Sequence, residues 1–229
     1  MNIIINEIIS KNFPELFLGL IHADVKNSTT SDDLWDELLF ESEIINRKYK
    51  IEEINKRHEI SSTRQAYKKL GKDPNRYRPS SEALCRRIAR GIPIYRLNTL
   101  VDIINIVSIR TGYSIGAFDL EKIHGNLILD AGRIDDEFEA IGRGILNIEG
   151  LPVYRDQTGP IGTPTSDCER TKITLQTSKI LIIFNAYSGE PGLKDALDYC
   201  INLLKKYSNA HNIDAHFYSI NSVIPKAFL

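Results

Sequence analysis

The stretch SSTRQAYKKLGKDPNRYRPSSEALCRRIARG, residues 61–91, with NTLVDIINIVSIRTG, residues 98–112, and YSIGAFDL, residues 113–120, decides how the chain is read. Its first part is basic. From Ser61 to Arg96 ten Lys/Arg stand against two acids, Asp73 and Glu82, a local charge of +8 in a chain whose total is −1. Residues 1–60 hold seven bases and twelve acids. Such a patch is an argument about partners rather than fold, and the near-neutral total excludes a protein that coats nucleic acid over its whole surface. The second part is apolar. Leu100, Val101, Ile103, Ile104, Ile106, Val107 and Ile109 make a helix from Asn98 to Thr111 hydrophobic nearly all round, hence buried, with Gly112 as its stop.

One polar stripe crosses that helix: Asn98, Asp102 and Asn105, at i, i+4 and i+7. Buried polar groups need hydrogen-bond partners. Either the stripe ties neighbouring loops to the helix, or it floors a ligand cleft. Just upstream, Ser80 or Ser81 is expected to cap a helix carrying Glu82 in its first turn, with Arg86 and Arg90 on one face and Arg87 near it. Arg76 and Arg78 lie in an extended lead-in before Pro79, and Arg64 sits on a preceding helix that Ser61 or Ser62 would cap and Gly71 would end. These arginines, with free N–H groups at the helix start, suit phosphate. The acidic N-terminal residues offer an alternative partner for them.

Working outward, residues 2–12 read as a short helix or strand, Leu16–Val25 as a buried strand, and Ser31 or Asp32 as the cap of a helix with Leu34, Leu38, Ile45 and Tyr49 inward. A charged helical stretch is expected over 47–58. Beyond Gly112 the chain turns β-rich, with strands near 115–118, 126–129 and 153–154, a rigid loop at 159–164, alternation at 172–175 and an apolar strand at 179–185. An amphipathic helix at 193–207 and a strand near 214–223 complete it. The expectation is an α+β fold, a mixed sheet with flanking helices, as one domain over 1–229 with 1–60 as an N-terminal α/β extension packed on the core.

Three cysteines, Cys85, Cys168 and Cys200, form no CxxC, which suits free thiols in a reducing compartment. The five histidines form no HxxxH or HExxH, and His211 and His216, five apart, are a weak ligand pair, so no metal is expected. There is no GxSxG elbow, no GxxxxGK[ST] loop and no apolar run of membrane-spanning length. No basic leader precedes an apolar core at the start. A soluble, cytoplasmic protein without a cofactor is expected. The hydroxyl-rich loop Thr163–Thr171, with Arg170, would either hydrogen-bond a ribose or phosphate or satisfy its own backbone.

The segments Val101-Asp102-Ile103-Ile104-Asn105 and Ile115-Gly116-Ala117-Phe118-Asp119-Leu120-Glu121-Lys122-Ile123 resemble the B3/B4-type editing domain of the phenylalanyl-tRNA synthetase β subunit, where a "VDVTNY…HAFDLDKI" pattern recurs. Gly125–Leu129, the Gly159–Thr163 loop with Ser166, and the strand Thr177–Asn185 extend the resemblance. The block GKDPNRYRPSSEALCRRI is similar to stand-alone bacterial proteins of this type. The resemblance covers roughly residues 60–190 and implies a B3/B4-like fold that binds tRNA or aminoacyl-tRNA and hydrolyses the ester of a wrongly charged tRNA. It implies a pocket from Asp102, Asn105, Gly116, Phe118, Asp119, Gly162, Thr163 and Ser166; the polar stripe adds Asn98, and the local charge offers Arg64, Arg76, Arg78, Arg86, Arg87 and Arg170 to RNA phosphates. Gly116 stands where the family has His, Ile104 where it has Thr, and Pro164 where it has the acid that contacts tyrosine, so tyrosine selection is not implied. The alternative is a non-catalytic binder of an amino acid or nucleotide on the same fold.

Overall fold

A computed structural model describes residues 3–220 and 222–227. In chain order the elements are β1 (Ile3–Ile5), α1 (Glu7–Asn12), β2 (Phe17–Asp24), α2 (Asp32–Lys48), α3 (His58–Lys69), α4 (Ser80–Ala89), α5 (Thr99–Thr111), β3 (Ile115–Asp119), β4 (Leu127–Ala131), β5 (Glu139–Ala140), β6 (Gly144–Ile145), β7 (Pro152–Arg155), β8 (Pro160–Gly162), β9 (Lys179–Ala186), α6 (Leu193–Ser208), β10 (His211–Ser219) and β11 (Ser222–Ala227). The five-stranded sheet runs β11-β10-β2-β9-β3 and is antiparallel at every pair. A second sheet runs β1-β4-β7-β8, with β1 parallel to β4 and the other pairs antiparallel. β5 and β6 form a small hairpin. The fold is α+β, with mixed pairing and flanking helices.

Period-2 alternation sorts the side chains of the large sheet into two cores. On β9, Ile180, Ile182 and Phe184 join Leu34, Ile103, Val107 and Leu197 of the helices, while Leu181 and Ile183 join Leu127, Leu129 and Ile161 of the second sheet. On β2, Ile21 and Ala23 face the helices and Leu18 and Leu20 face the second sheet. Gly19 lies under α6, where an added Cβ would stand 2.5 Å from Leu197 Cδ1. Residues 1–60 thus supply the middle strand of the large sheet, as well as β1 and α2. A third helical cluster joins Ile45, Ile60, Cys85, Ile88 and Ile109. The three thiols are buried. No helix among the described residues is long and apolar enough to cross a membrane.

Several local expectations give way to tertiary contacts. Helix α3 begins at His58 rather than at a Ser61 or Ser62 cap. Buried Arg57 donates to the carbonyls of Ile109 and Arg110 at 2.8 and 2.9 Å, capping α5, and this fixes where the next helix starts. The helix expected over 47–58 is absent as a unit, because α2 ends at Lys48 and only a single 3₁₀ turn, Ile54–Lys56, follows. Arg76 and Tyr77 lie in a turn, the Tyr77 N–H bonding Asp73 O at 3.0 Å, so only Arg78 is extended. Residues 172–175 form no strand: the Thr177 hydroxyl accepts from Thr174 N at 2.9 Å and closes a turn instead. Residues 2–12 hold both β1 and α1, residue 2 lying outside the described residues. The strand foreseen near 214–223 is the hairpin of β10 and β11, with residue 221 outside the described residues.

Helix α4 carries Ser80 and Ser81 as its first residues, after Pro79, with no side-chain cap. The Ser80 N–H bonds Pro164 O at 2.8 Å, and the Ser81 hydroxyl meets that of Ser114 at 3.1 Å. The opposite anchor is Glu82. Its fully buried carboxylate takes Arg64 Nη1 at 2.8 Å on one oxygen and Arg86 Nε at 2.7 Å on the other, joining α3 to α4. Removing one member of a buried ionic group strands the rest. Glu82→Gln should therefore lower the unfolding free energy by on the order of 3 kcal/mol in urea denaturation; a loss below about 1 kcal/mol would show the arginines satisfied elsewhere.

Candidate ligand-binding site

The polar stripe of α5 divides. Asn98 caps the helix, accepting from Val101 N at 3.1 Å and from Asn27 Nδ2 at 3.1 Å. Asp102 is fully buried and accepts from the Thr30 hydroxyl and, at 3.1 Å, from Leu97 N. Desolvation raises the Asp102 pKa against these bonds. Asp102 therefore ties loops to the helix, whereas Asn105 faces open space.

That space is a cavity of about 420 Å³. Asn98, Val101, Ile104, Asn105 and Ser108 of α5 form its floor, and Ile115 and Ala117 of β3 its wall. Ser80 and Leu84 of α4, with Ser166, Asp167, Lys172 and Ile173, close the sides. The lining is mostly aliphatic with few polar groups, the usual make-up of a small-molecule site. A second basin of about 420 Å³ abuts it and shares Ser80, Leu84 and Asn105. Arg78, Arg86, Arg87, Arg90 and Arg143 line this basin. Arg86 is committed to Glu82, and Arg87 bonds Pro93 O at 2.6 Å and covers the Tyr95 ring. Arg78, Arg90 and Arg143 are exposed, and among the described residues no carboxylate pairs with them. A cationic antechamber leads to an apolar chamber, with Asn105 at the junction.

The acid of the chamber is Asp167, partly buried at its wall. Its Oδ2 accepts from Ala117 N at 3.2 Å. Desolvation pushes its pKa up to about 7, against the pull of that bond. Glycine makes the position reachable. A Cβ on Gly162 would lie 2.8 Å from Asp167 Oδ1 and 2.6 Å from Phe118 Cζ, and one on Gly116 would lie 2.8 Å from the same Cζ. The Phe118 ring thus fills the space beneath both glycines.

The remaining residues named from sequence take other places. Gly116 and Gly162 support the wall from behind, and Phe118 is fully buried in the inter-sheet core. Asp119 accepts from the Thr177 hydroxyl at 2.9 Å and pairs with Lys122 at 3.2 Å. Thr163 Oγ1 accepts from the N–H groups of Thr165 and Ser166 at 3.0 and 3.1 Å, so the hydroxyl loop satisfies its own backbone there, while Ser166 lines the chamber. Arg64 is held by Glu82, Pro74 O and Asn75. Arg170 makes a two-pronged pair with Asp156 at 2.8 and 3.1 Å. Arg76 lies over the Tyr77 ring, outside the basin. Sequence reasoning grouped Arg90 with the phosphate-suited arginines and passed over Asp167 and Arg143. Asp167 stands three residues after Pro164, and its signal is an acid in a hydroxyl-rich loop that also holds Glu169.

The B3/4 domain family model matches residues 62–209. The chain belongs to the B3/4 domain family. Comparison with curated proteins finds no match. Among solved structures, an N-terminal fragment of the phenylalanyl-tRNA synthetase β-subunit from Pyrococcus horikoshii is similar over 93% of this chain and 50% of that one, at 14% identity and a TM-score of 0.47. The chain therefore spans about half the length of that fragment. In this B3/4 chain the chamber's acid comes from Asp167.

An unfolded aspartic acid releases its proton near pH 4, about 3.9, whereas folded Asp167 holds it to about 7. The folded state binds more protons in between, so this group's contribution to stability falls as pH rises from about 4 to about 7 and is level above. The advantage of Asp167→Asn over the parent in urea denaturation should grow across that range by on the order of 1–3 kcal/mol. A difference independent of pH would mean that the carboxyl ionises as in water.

Proposed function

We propose that the protein binds the aminoacylated 3′ end of a tRNA and hydrolyses its ester. The observation that carries this reading is that the two basins adjoin, sharing Ser80, Leu84 and Asn105 in their walls. Arg78, Arg90 and Arg143, with Arg87, hold backbone phosphates, and the aliphatic chamber takes the amino-acid side chain. Asn105, at the junction, hydrogen-bonds the ester or the terminal ribose. Phosphate contacts position the RNA without reading its sequence, which suits a site whose selectivity lies in the amino acid.

For hydrolysis, a water attacks the ester carbonyl, the acyl C–O bond breaks, and the ribose hydroxyl and free amino acid leave. Asp167, with its pKa held near 7, is suited to accept the water's proton at neutral pH and return it to the departing ribose oxygen. No covalent acyl-enzyme is required. The same reading takes residues 1–229 as one B3/4-type domain, whose first sixty residues contribute β2.

A second reading is favoured by one feature. Ile104, Ile115 and Ala117 present no hydroxyl or imidazole to hold a water, and Asp167 would equally pair the ammonium of a free amino acid. Incubation with tRNAs charged with aliphatic and aromatic amino acids separates the two. Deacylation well above buffer, reduced at least about tenfold by Asp167→Asn and Asn105→Ala, supports the hydrolase. Thermal stabilisation by a free amino acid with no tRNA binding supports the binder. Arg78→Ala with Arg90→Ala should weaken tRNA binding and flatten its log–log salt dependence by about 1–2; an unchanged slope would sink the RNA contact.

A further inference from the structure

Away from the pocket, β2 and β10 bring three metal-binding side chains together. Their register places His22 opposite Asp214, and His216 follows Asp214 two residues on, so all three project from one face of the sheet. One donor atom from each lies within 4.8 Å of the other two. His216 Nε2 stands 2.7 Å from Asp214 Oδ2. Two further ring nitrogens, His22 Nε2 and His216 Nδ1, are buried and have no hydrogen-bond partner among the described residues. Orphaned buried polar atoms are uncommon in folded proteins, and here two of them are imidazole nitrogens beside one carboxylate.

We propose that His22, Asp214 and His216 bind a divalent transition-metal ion of the zinc type. Two imidazoles and a carboxylate are a donor set that such ions accept, with a remaining position left to water. Ligands of a tetrahedral zinc ion stand about 3.4 Å apart, which follows from bonds of about 2.0–2.2 Å. His216 Nε2 and Asp214 Oδ2, at 2.7 Å, stand inside that value and no pair of donors exceeds 4.8 Å, so small rotamer shifts complete the shell. The Asp214 side chain is 60% exposed, so an ion has a path from solvent. The metal would staple β10 to β2 across the large sheet. It lies apart from the ligand chamber, because β9 separates β2 from β3 in the strand order. Linear spacing hides the site, since strand pairing alone brings residue 22 to residues 214 and 216.

The full chain, stripped with a chelator and titrated with zinc chloride in a calorimeter, should bind one equivalent with Kd in the micromolar range or tighter, and its Tm should rise with zinc concentration. Cobalt in place of zinc should give visible d–d absorption from a nitrogen–oxygen shell. His22→Ala and Asp214→Ala should each weaken binding at least about tenfold. His211→Ala alters a neighbouring histidine whose Nε2 stands 3.9 Å from Asp24, and should leave binding unchanged. Absence of zinc binding to the parent protein below about 1 mM overturns the assignment, with no variant needed. So does binding undiminished in both ligand variants, with their fold checked by circular dichroism, or binding lost equally in His211→Ala.

Discussion

The carboxylate of Glu82 decides how the basic segment is used. It is fully buried between two guanidinium groups, Arg64 from α3 and Arg86 from the next turn of its own helix. A buried charge is tolerated only when paired and hydrogen-bonded on both oxygens, so this acid fixes α4 in position and in rotation. With Glu82 held inward, the helix turns Ser80, Leu84, Arg87 and Arg90 to the antechamber, where Arg86 also lines the wall with its charge already paired. One buried acid therefore separates the arginines that hold the fold from those left for a ligand.

A second constraint comes from the opposite side of the chamber. Ser80 N–H bonds Pro164 O, and the loop after Pro164 folds on its own hydroxyls through Thr163. The loop is thereby rigid where it delivers Ser166 and Asp167 to the wall. Asp167 sits where its ionised form is poorly solvated and has one backbone donor, from Ala117. Proteins accept such a group where its proton is useful. The same enclosure that raises its pKa comes from Phe118 and the two glycines, whose missing Cβ atoms leave the ring and the carboxylate their room.

Much of this was legible along the chain. The apolar periodicity of α5, the Gly112 stop, the strand at β9 and the amphipathic α6 are local signals, and local physics produced them. What escaped was set by partners far away in sequence. Residues 1–60 read as an extension because nothing in them announces that β2 pairs with β9 and β10, more than 150 positions later. Arg64, Arg86 and Arg170 carry the same charge as Arg90 and Arg143. Only tertiary structure reveals that Glu82 and Asp156 occupy the first three. The α5 stripe looked like one feature, and the loop at Asn27–Thr30 takes up Asn98 and Asp102 while leaving Asn105 open.

Membership of the B3/4 family supplies the scaffold, and the chemistry belongs to side chains that the scaffold does not dictate. At this chamber Ile104, Ile115 and Ala117 make one apolar stretch of wall, and Ser80, Asn105, Ser166 and Asp167 place the hydrogen-bonding groups elsewhere on it. The chamber's acid is Asp167, on a short side chain beside the Ala117 N–H at the wall. A site built this way discriminates by volume and by polarity at its entrance, and small aliphatic differences yield only modest discrimination. A chamber walled this way separates ligands by volume more than by fine shape.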